Sequence, residues 1–154
     1  MPTGYGVDRA AVEGMLPWSY VSEQMARSRN YWIGTTHPDG RPHLAPVWGI
    51  WLDETLYFST DPASRKARNL AASPELVVHL ESGDEVVVFE GTAESVSEPS
   101  VLAPYLDAYE AKYAIRPDLG SPPQGTFRLR PRVAYTWREK DFPSSATRWT
   151  FGSD

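Results

Sequence analysis

The chain has 154 residues, 41% hydrophobic and 23% charged, the composition of one globular domain large enough to bury a core without staples. It contains no cysteine, which excludes disulfides, thiolate metal sites and a cysteine nucleophile. Acidic residues outnumber basic ones, 20 to 15, for a net charge of −5, and that balance argues against DNA or RNA as a partner.

Residues 1–16 are weakly patterned and read as a loosely ordered lead-in. Pro17 suits the first turn of a helix in which Trp18, Val21 and Met25 recur at helical spacing, ending near Arg27 to Arg29. From Asn30 the pattern turns to strands. Residues 31–36 are aromatic and β-branched, and His37-Pro38-Asp39-Gly40 is a strong turn. A long second strand covers 42–52, where Pro46 and Gly49 argue for an edge or a bulge. Asp53-Glu54 turns into a third strand, 55–60, and Asp61 or Ser64 caps a helix over 62–72. Strand four spans 75–81. Strand five, from 85 to about 96, is apolar on both faces near its start and so is expected to be central. Leu102, Tyr105, Leu106, Tyr109 and Tyr113 form one stripe on a helix over 98–115. A Pro/Gly-rich loop, 116–125, leads to two strands, 126–130 and 132–138, separated near Pro131, and then to a short aromatic and basic tail. The pattern predicts a single, mostly β domain: a β-barrel of six to seven largely antiparallel strands with three flanking helices. No stretch approaches the roughly 18 apolar residues of a membrane span, so a cytoplasmic protein without membrane contact is expected.

The chemistry concentrates between residues 59 and 69. Ser59, Thr60 and Ser64 supply hydroxyls, Arg65, Lys66 and Arg68 supply positive charge, and Asn69 has the reach to meet a sugar or phosphate. A helix start of this kind favours an anion through its free N–H groups and its dipole. The same basic residues also suit a solvated helix face. His37, His43 and His79 match no ligand spacing, so no metal is expected, although His43 lies on the strand that would face a ligand. There is no Gly-x-Ser-x-Gly elbow, no Gly-x-Gly-x-x-Gly fingerprint and no Walker loop. Arg128, Arg130 and Arg132 alternate. If the strand runs through Pro131 they share one face, suited either to an extended polyanion or to protecting a sheet edge.

Three blocks carry a resemblance: Gly40-Arg41-Pro42-His43-Leu44-Ala45-Pro46-Val47-Trp48, Tyr57-Phe58-Ser59-Thr60, and Ser64-Arg65-Lys66-Ala67-Arg68-Asn69-Leu70. With Glu90-Gly91-Thr92-Ala93 as a fourth, they resemble the pyridoxamine 5′-phosphate oxidase-like split-barrel superfamily over about residues 20–138. The resemblance implies a homodimer that holds a flavin or deazaflavin in a groove at the subunit interface. His43, Ala45, Pro46, Val47 and Trp48 would then run beside the ring. Ser59, Thr60, Ser64, Arg65, Lys66 and Asn69 would hold the phosphate and ribityl chain. The tail, 139–154, would reach the partner chain, with Trp137 and Trp149 closing the site.

The departures from the family are informative. Oxidases of pyridoxamine phosphate carry a further Arg and Lys on the second strand, where this chain has Ala45 and Ile50, and their C-terminal substrate-phosphate motif has no counterpart here. The variants are more similar to the actinobacterial flavin/deazaflavin oxidoreductases, several of which use coenzyme F420, whose polyglutamate tail the arginine row would meet. The expectation is an F420-dependent oxidoreductase passing a hydride between the deazaflavin and a flat conjugated small molecule. An FMN-dependent reductase or oxidase, or a non-catalytic flavin- or F420-binding protein, are the alternatives. No catalytic residue is assigned: the proton would come from solvent, His43 or a tyrosine.

Overall fold

The computed structural model describes residues 13–152. The chain runs through α1 (Trp18–Arg27), β1 (Asn30–Thr36), β2 (Pro42–Leu52), β3 (Thr55–Ser59), α2 (Arg65–Ala72), β4 (Glu75–His79), β5 (Glu85–Ser95), α3 (Pro99–Tyr113), β6 (Thr126–Arg138) and β7 (Thr147–Thr150), with a 3-10 turn at Glu139–Asp141. The lead-in expected to be loose, 1–16, lies mostly outside the described residues. Its last residue is anchored: Leu16 is buried and its N–H donates to Thr147 Oγ1 at 2.9 Å. Pro17 stands at the N-cap of α1 rather than inside its first turn, and Val21 and Met25 are the residues that helix buries.

All pairings are antiparallel, in the order β3-β2-β1-β4-β5-β6-β7, and β3 also pairs with β6. Six strands therefore close into a barrel and β7 extends it, as the mostly β reading expected. Pro46 is tolerated because β2 changes neighbours along its length. Residues 42–48 pair with β1, and only Gly49 to Leu52 pair with β3, so Pro46 lies where the other flank of β2 is free. β5 is central, between β4 and β6.

One expectation is corrected. Residues 126–138 are a single 13-residue strand, not two strands divided at Pro131. A bulge absorbs the proline: Gly91 pairs with Pro131 and Glu90 with Val133, leaving Arg132 as the extra residue. The strands touch here. A Cβ on Gly91 would stand 2.1 Å from the Arg130 carbonyl oxygen, so this contact requires glycine. Within the tail, Thr147–Thr150 form β7, paired to β6 of the same chain.

Two clusters hold the fold. The barrel interior packs Tyr31, Ile33, Val47, Leu56, Phe58, Val78, Phe89 and Leu129 with Val21 and Met25 of α1 and Leu70 of α2. Outside the barrel, α3 lays Leu102, Tyr105 and Tyr113 over Ile50 and Tyr57, using the stripe read from the sequence. Among the described residues no helix is long and apolar enough to cross a membrane.

Candidate functional site

The turn from β3 into α2 is held from three sides. Ser59 Oγ hydrogen-bonds to the Tyr105 hydroxyl of α3 and to Thr126 Oγ1 of β6, each at 2.7 Å. The Thr60 N–H donates to the Gly125 carbonyl at 2.8 Å. Thr60 and Ser64 share a hydroxyl–hydroxyl bond of 3.1 Å, and Ser64 Oγ caps α2 by accepting from Ala67 N–H. The first helical turn therefore starts at a fixed point with Arg65 and Lys66 half-buried on it, while Arg68 is exposed. Its leading N–H groups and the dipole add to those two charges, an arrangement whose chemistry suits an anion.

The hairpin turn of β1 and β2 comes against the same helix. The His37 and His43 rings lie 5.9 Å apart, edge to face. Partial loss of water, with the Arg41 and Arg65 charges, holds the His37 ring below its ordinary pKa, so it is a neutral group at pH 7. Thr35 faces His43 across the β1–β2 register and accepts a hydrogen bond from Asn69 Nδ2 at 3.1 Å. Two buried atoms at this end of the barrel have no partner among the described residues: His43 Nδ1 and Asn69 Oδ1. Buried polar groups are rarely left so. The unmet hydrogen-bonding capacity, beside a turn that suits an anion, fits a phosphorylated ligand with polar ring or ribityl atoms.

The structure divides the sequence-derived residues into groups. Ser59, Thr60, Ser64, Arg65, Lys66 and His43 gather around the start of α2. Asn69 belongs to the helix but is fully buried, its amide committed to Thr35. Residues 43–48 do not share one surface, because alternation along β2 sends them to opposite faces. His43, Ala45 and Val47 turn inward, Val47 into the main core, while Leu44, Pro46 and Trp48 turn outward. Trp48 stacks on Tyr113 with centroids 4.6 Å apart and planes at 2°, and the Arg29 guanidinium sits 5.0 Å over its ring. Trp149 packs edge-on against Trp18 of its own chain at 5.3 Å. Trp137 is half-buried near the far end of β6, 6.2 Å from the Phe142 ring. At the positions that departed from the family, Ala45 is half-buried and Ile50 is buried under α3, so neither offers a charge.

The arginine row is paired. Arg128 donates to Glu94 at 2.7 Å, Arg130 donates to the other oxygen of the same carboxylate, and Arg132, displaced by the bulge, donates to Glu75 at 2.9 Å. Hydrogen bonds from the two guanidiniums hold the Glu94 carboxyl down at about 2. Sequence order could not show this, because Glu94 and Glu75 come from two other strands. Lys112 was also missed. Its ammonium donates to the Tyr31 hydroxyl at 3.0 Å and the Gly49 carbonyl at 3.1 Å, and burial with nearby Arg29 pushes its pKa down to about 8.

Two open clefts border this region. One, of about 430 Å³, runs over Gly34, Leu44 and Val77 with His43 at one side and Glu90 and Arg132 at the other. The second, of about 680 Å³, lies between the β3–α2 turn and the 116–125 loop.

Comparison with known proteins identifies the family and the fold. A family model described as pyridoxamine 5′-phosphate oxidase matches residues 20–138. Among solved structures, a conserved hypothetical protein from Mycobacterium tuberculosis superposes with a TM-score of 0.72 at 26% identity, over 86% of this chain and 91% of that one. A protein titled F420 reductase superposes at 0.62 with 24% identity, over 77% and 98%. A pyridoxamine 5′-phosphate oxidase-related, FMN binding protein from Nostoc punctiforme shares the fold at 0.60 with 15% identity, over 90% and 99%. No curated protein matches the chain in sequence.

Proposed function

The chain belongs to the pyridoxamine 5′-phosphate oxidase family, and on that premise we propose that it is an oxidoreductase with F420 as its cofactor. The observation that carries the reading is the Ser64-capped start of α2, with Arg65 and Lys66 on it and the unpartnered His43 Nδ1 and Asn69 Oδ1 beside it. When bound, the deazaflavin supplies hydride chemistry towards a flat conjugated substrate, and the protein supplies orientation and electrostatics. Arg65, Lys66 and the leading N–H groups of α2 hold the phosphate. Thr60 and Ser64 fix the turn that presents them. Leu44 and Pro46 give an apolar strand edge towards the ring.

F420 ranks ahead of FMN on charge. A phosphate monoester such as that of FMN carries about −1.5 to −2 at pH 7, whereas the phosphodiester of F420 carries one charge. With Ala45 and Ile50 in place of the family's extra bases, this chain lacks the further cations that the doubly charged monoester draws on in the oxidases, and the smaller charge of the diester makes less demand on Arg65 and Lys66. The same substitutions argue against oxidation of pyridoxamine phosphate.

A homodimer completes the proposal. The outward residues Pro46, Trp32, His79, Val88 and Tyr135 lie in one row across five strands, and in the next row Leu44 and Val77 are 54% and 39% exposed. An apolar sheet face of this kind suits a second copy, whose Trp137 side would border the groove. Titration of the purified protein with F420 and with FMN, followed by absorbance and fluorescence, tests the cofactor. F420 is expected to bind more tightly than FMN, and failure of both to bind below high micromolar refutes the reading. Sedimentation tests the dimer.

A further inference from the structure

We propose that the cleft between the β3–α2 turn and the 116–125 loop binds a planar, uncharged or cationic aromatic compound that carries hydrogen-bond donors, and that it rejects anions. Its volume of about 680 Å³ is in the range of small-molecule sites. Tyr109, Pro117 and Leu119 form apolar walls, and Asp61, Asp118 and Gln124 bring polar groups to it. None of its lining residues is Lys, Arg or His. Anions therefore meet two carboxylates and no compensating charge.

The cleft is built before any ligand arrives. Arg116 ties the start of the loop to α3 through Asp107 at 2.9 Å and Glu110 at 3.1 Å. Within the loop, Gly120 N–H donates to Asp118 Oδ1 and Gln124 N–H to the Leu119 carbonyl, both at 2.9 Å. The end of the loop is fastened to β3 by the Thr60–Gly125 bond. Asp61 is fixed in the same way, with Oδ1 accepting from Ala63 N–H at 2.8 Å. Each carboxylate keeps a second oxygen with acceptor capacity for a ligand donor. The Tyr109 ring is braced by Tyr105 and Tyr113, with centroids 5.8 Å and 4.9 Å away, so it offers a rigid surface for a flat ring.

Ser59 and Thr60 line this cleft and also lead into the first turn of α2. This short segment thus carries Arg65 and Lys66 outside the cleft and Asp61 on its lining, where Asp118 of the 116–125 loop adds a second carboxylate. Opposite charge at the two places sorts two ligands: the phosphorylated cofactor to one, the uncharged or cationic compound to the other. The compound's role as substrate rests on the cofactor reading; its binding here does not.

The test uses cofactor-free protein and two planar probes, methylene blue as the cation and anthraquinone-2,6-disulfonate as the dianion, each titrated by calorimetry. Methylene blue is expected to bind one to one and at least about tenfold more tightly than the disulfonate. Asp118→Asn should weaken methylene blue by about threefold, the effect of one partly exposed charge. Leu119→Arg should abolish the preference, while Glu23→Gln, an exposed charge on α1, should leave it unchanged. Equal binding of the two probes overturns the proposal. So does an equal effect of Asp118→Asn and Glu23→Gln, which would trace the preference to net charge alone. Circular dichroism confirms that each variant is folded. Methylene blue binding without F420 binding would retain the cleft and refute the cofactor; the reverse would retain the cofactor and refute the cleft.

Discussion

Replacing Gly125 by alanine tests whether the 116–125 loop and the β3–α2 turn are held by one close contact. Gly125 has φ +82°, and a Cβ there would lie 2.2 Å from the Thr60 carbonyl oxygen. A side chain in that backbone conformation costs about 1–2 kcal/mol. The overlap is with backbone, not with a flexible side-chain end, so the strands must part, at about 1–3 kcal/mol for overpacking. Parting them weakens the Thr60–Gly125 hydrogen bond, worth about 1 kcal/mol. The combined loss is about 3–6 kcal/mol, or roughly 6–24 °C in Tm for a chain of this size. Gly120→Ala is the matched control. Gly120 has φ +83°, but a Cβ there would lie 3.5 Å from the Pro122 carbonyl oxygen, an ordinary contact, so only the conformational cost remains. Denaturant titration of both variants gives the two losses. Equal losses refute the close-contact argument, because the glycines differ in the overlap and not in φ.

Three further outcomes are expected. Lys66→Ala removes a charge-assisted phosphate contact of about 1.5–3 kcal/mol and should weaken cofactor binding roughly tenfold or more, with an unchanged circular dichroism spectrum; unchanged affinity places the phosphate elsewhere. Lys112 has a folded pKa of about 8 against an ordinary value of about 10.4, so between these the unfolded chain binds more protons and this residue makes stability rise with pH. Denaturant midpoints measured between about pH 8 and 10 should show that rise in the native protein and lose it in Lys112→Met; above that range the tyrosines with raised pKa values, Tyr31, Tyr105 and Tyr113, oppose it. Glu94 titrates at about 2 when folded and near 4.3 when unfolded, so its contribution is present above about pH 4.3 and is lost as the pH falls through about 2. Glu94→Gln should remove that acid dependence. It should also free Arg128 and Arg130, so that F420 forms with more glutamates bind more tightly to the variant but not to the native protein.

The strands and helices along the chain were legible in the sequence because alternation, turn residues and the α3 stripe all report local geometry. The start of α2 was legible for the same reason, since Ser64, Arg65 and Lys66 are adjacent in the chain. What lay hidden depends on partners distant in sequence. Pro131 reads as a break until Gly91 is seen opposite it, allowing the strand to bulge and continue. The arginine row reads as free charge until Glu94 and Glu75 arrive from β5 and β4. The division of residues 43–48 between two faces was available from the two-residue period of a strand. The resemblance, taken as a block, obscured it. The cleft beside Tyr109 had no motif at all, because a loop and a helix create it only on packing.

The seam between β3 and β6 has a consequence in time. It rests on three register pairs, and Ser59 and Thr126 on it are 67 positions apart, whereas β1 and β2 meet through a short hairpin. Joining distant residues carries a larger loop-closure cost than closing a hairpin, so the seam is the last part of the barrel to form. Ser59, which ties that seam together, also leads into the turn proposed to hold the cofactor phosphate. Amide exchange along Tyr57 to Thr60 should therefore be the fastest in the barrel and should slow when a ligand binds, so that occupancy of the site is recorded as the closing of the fold itself.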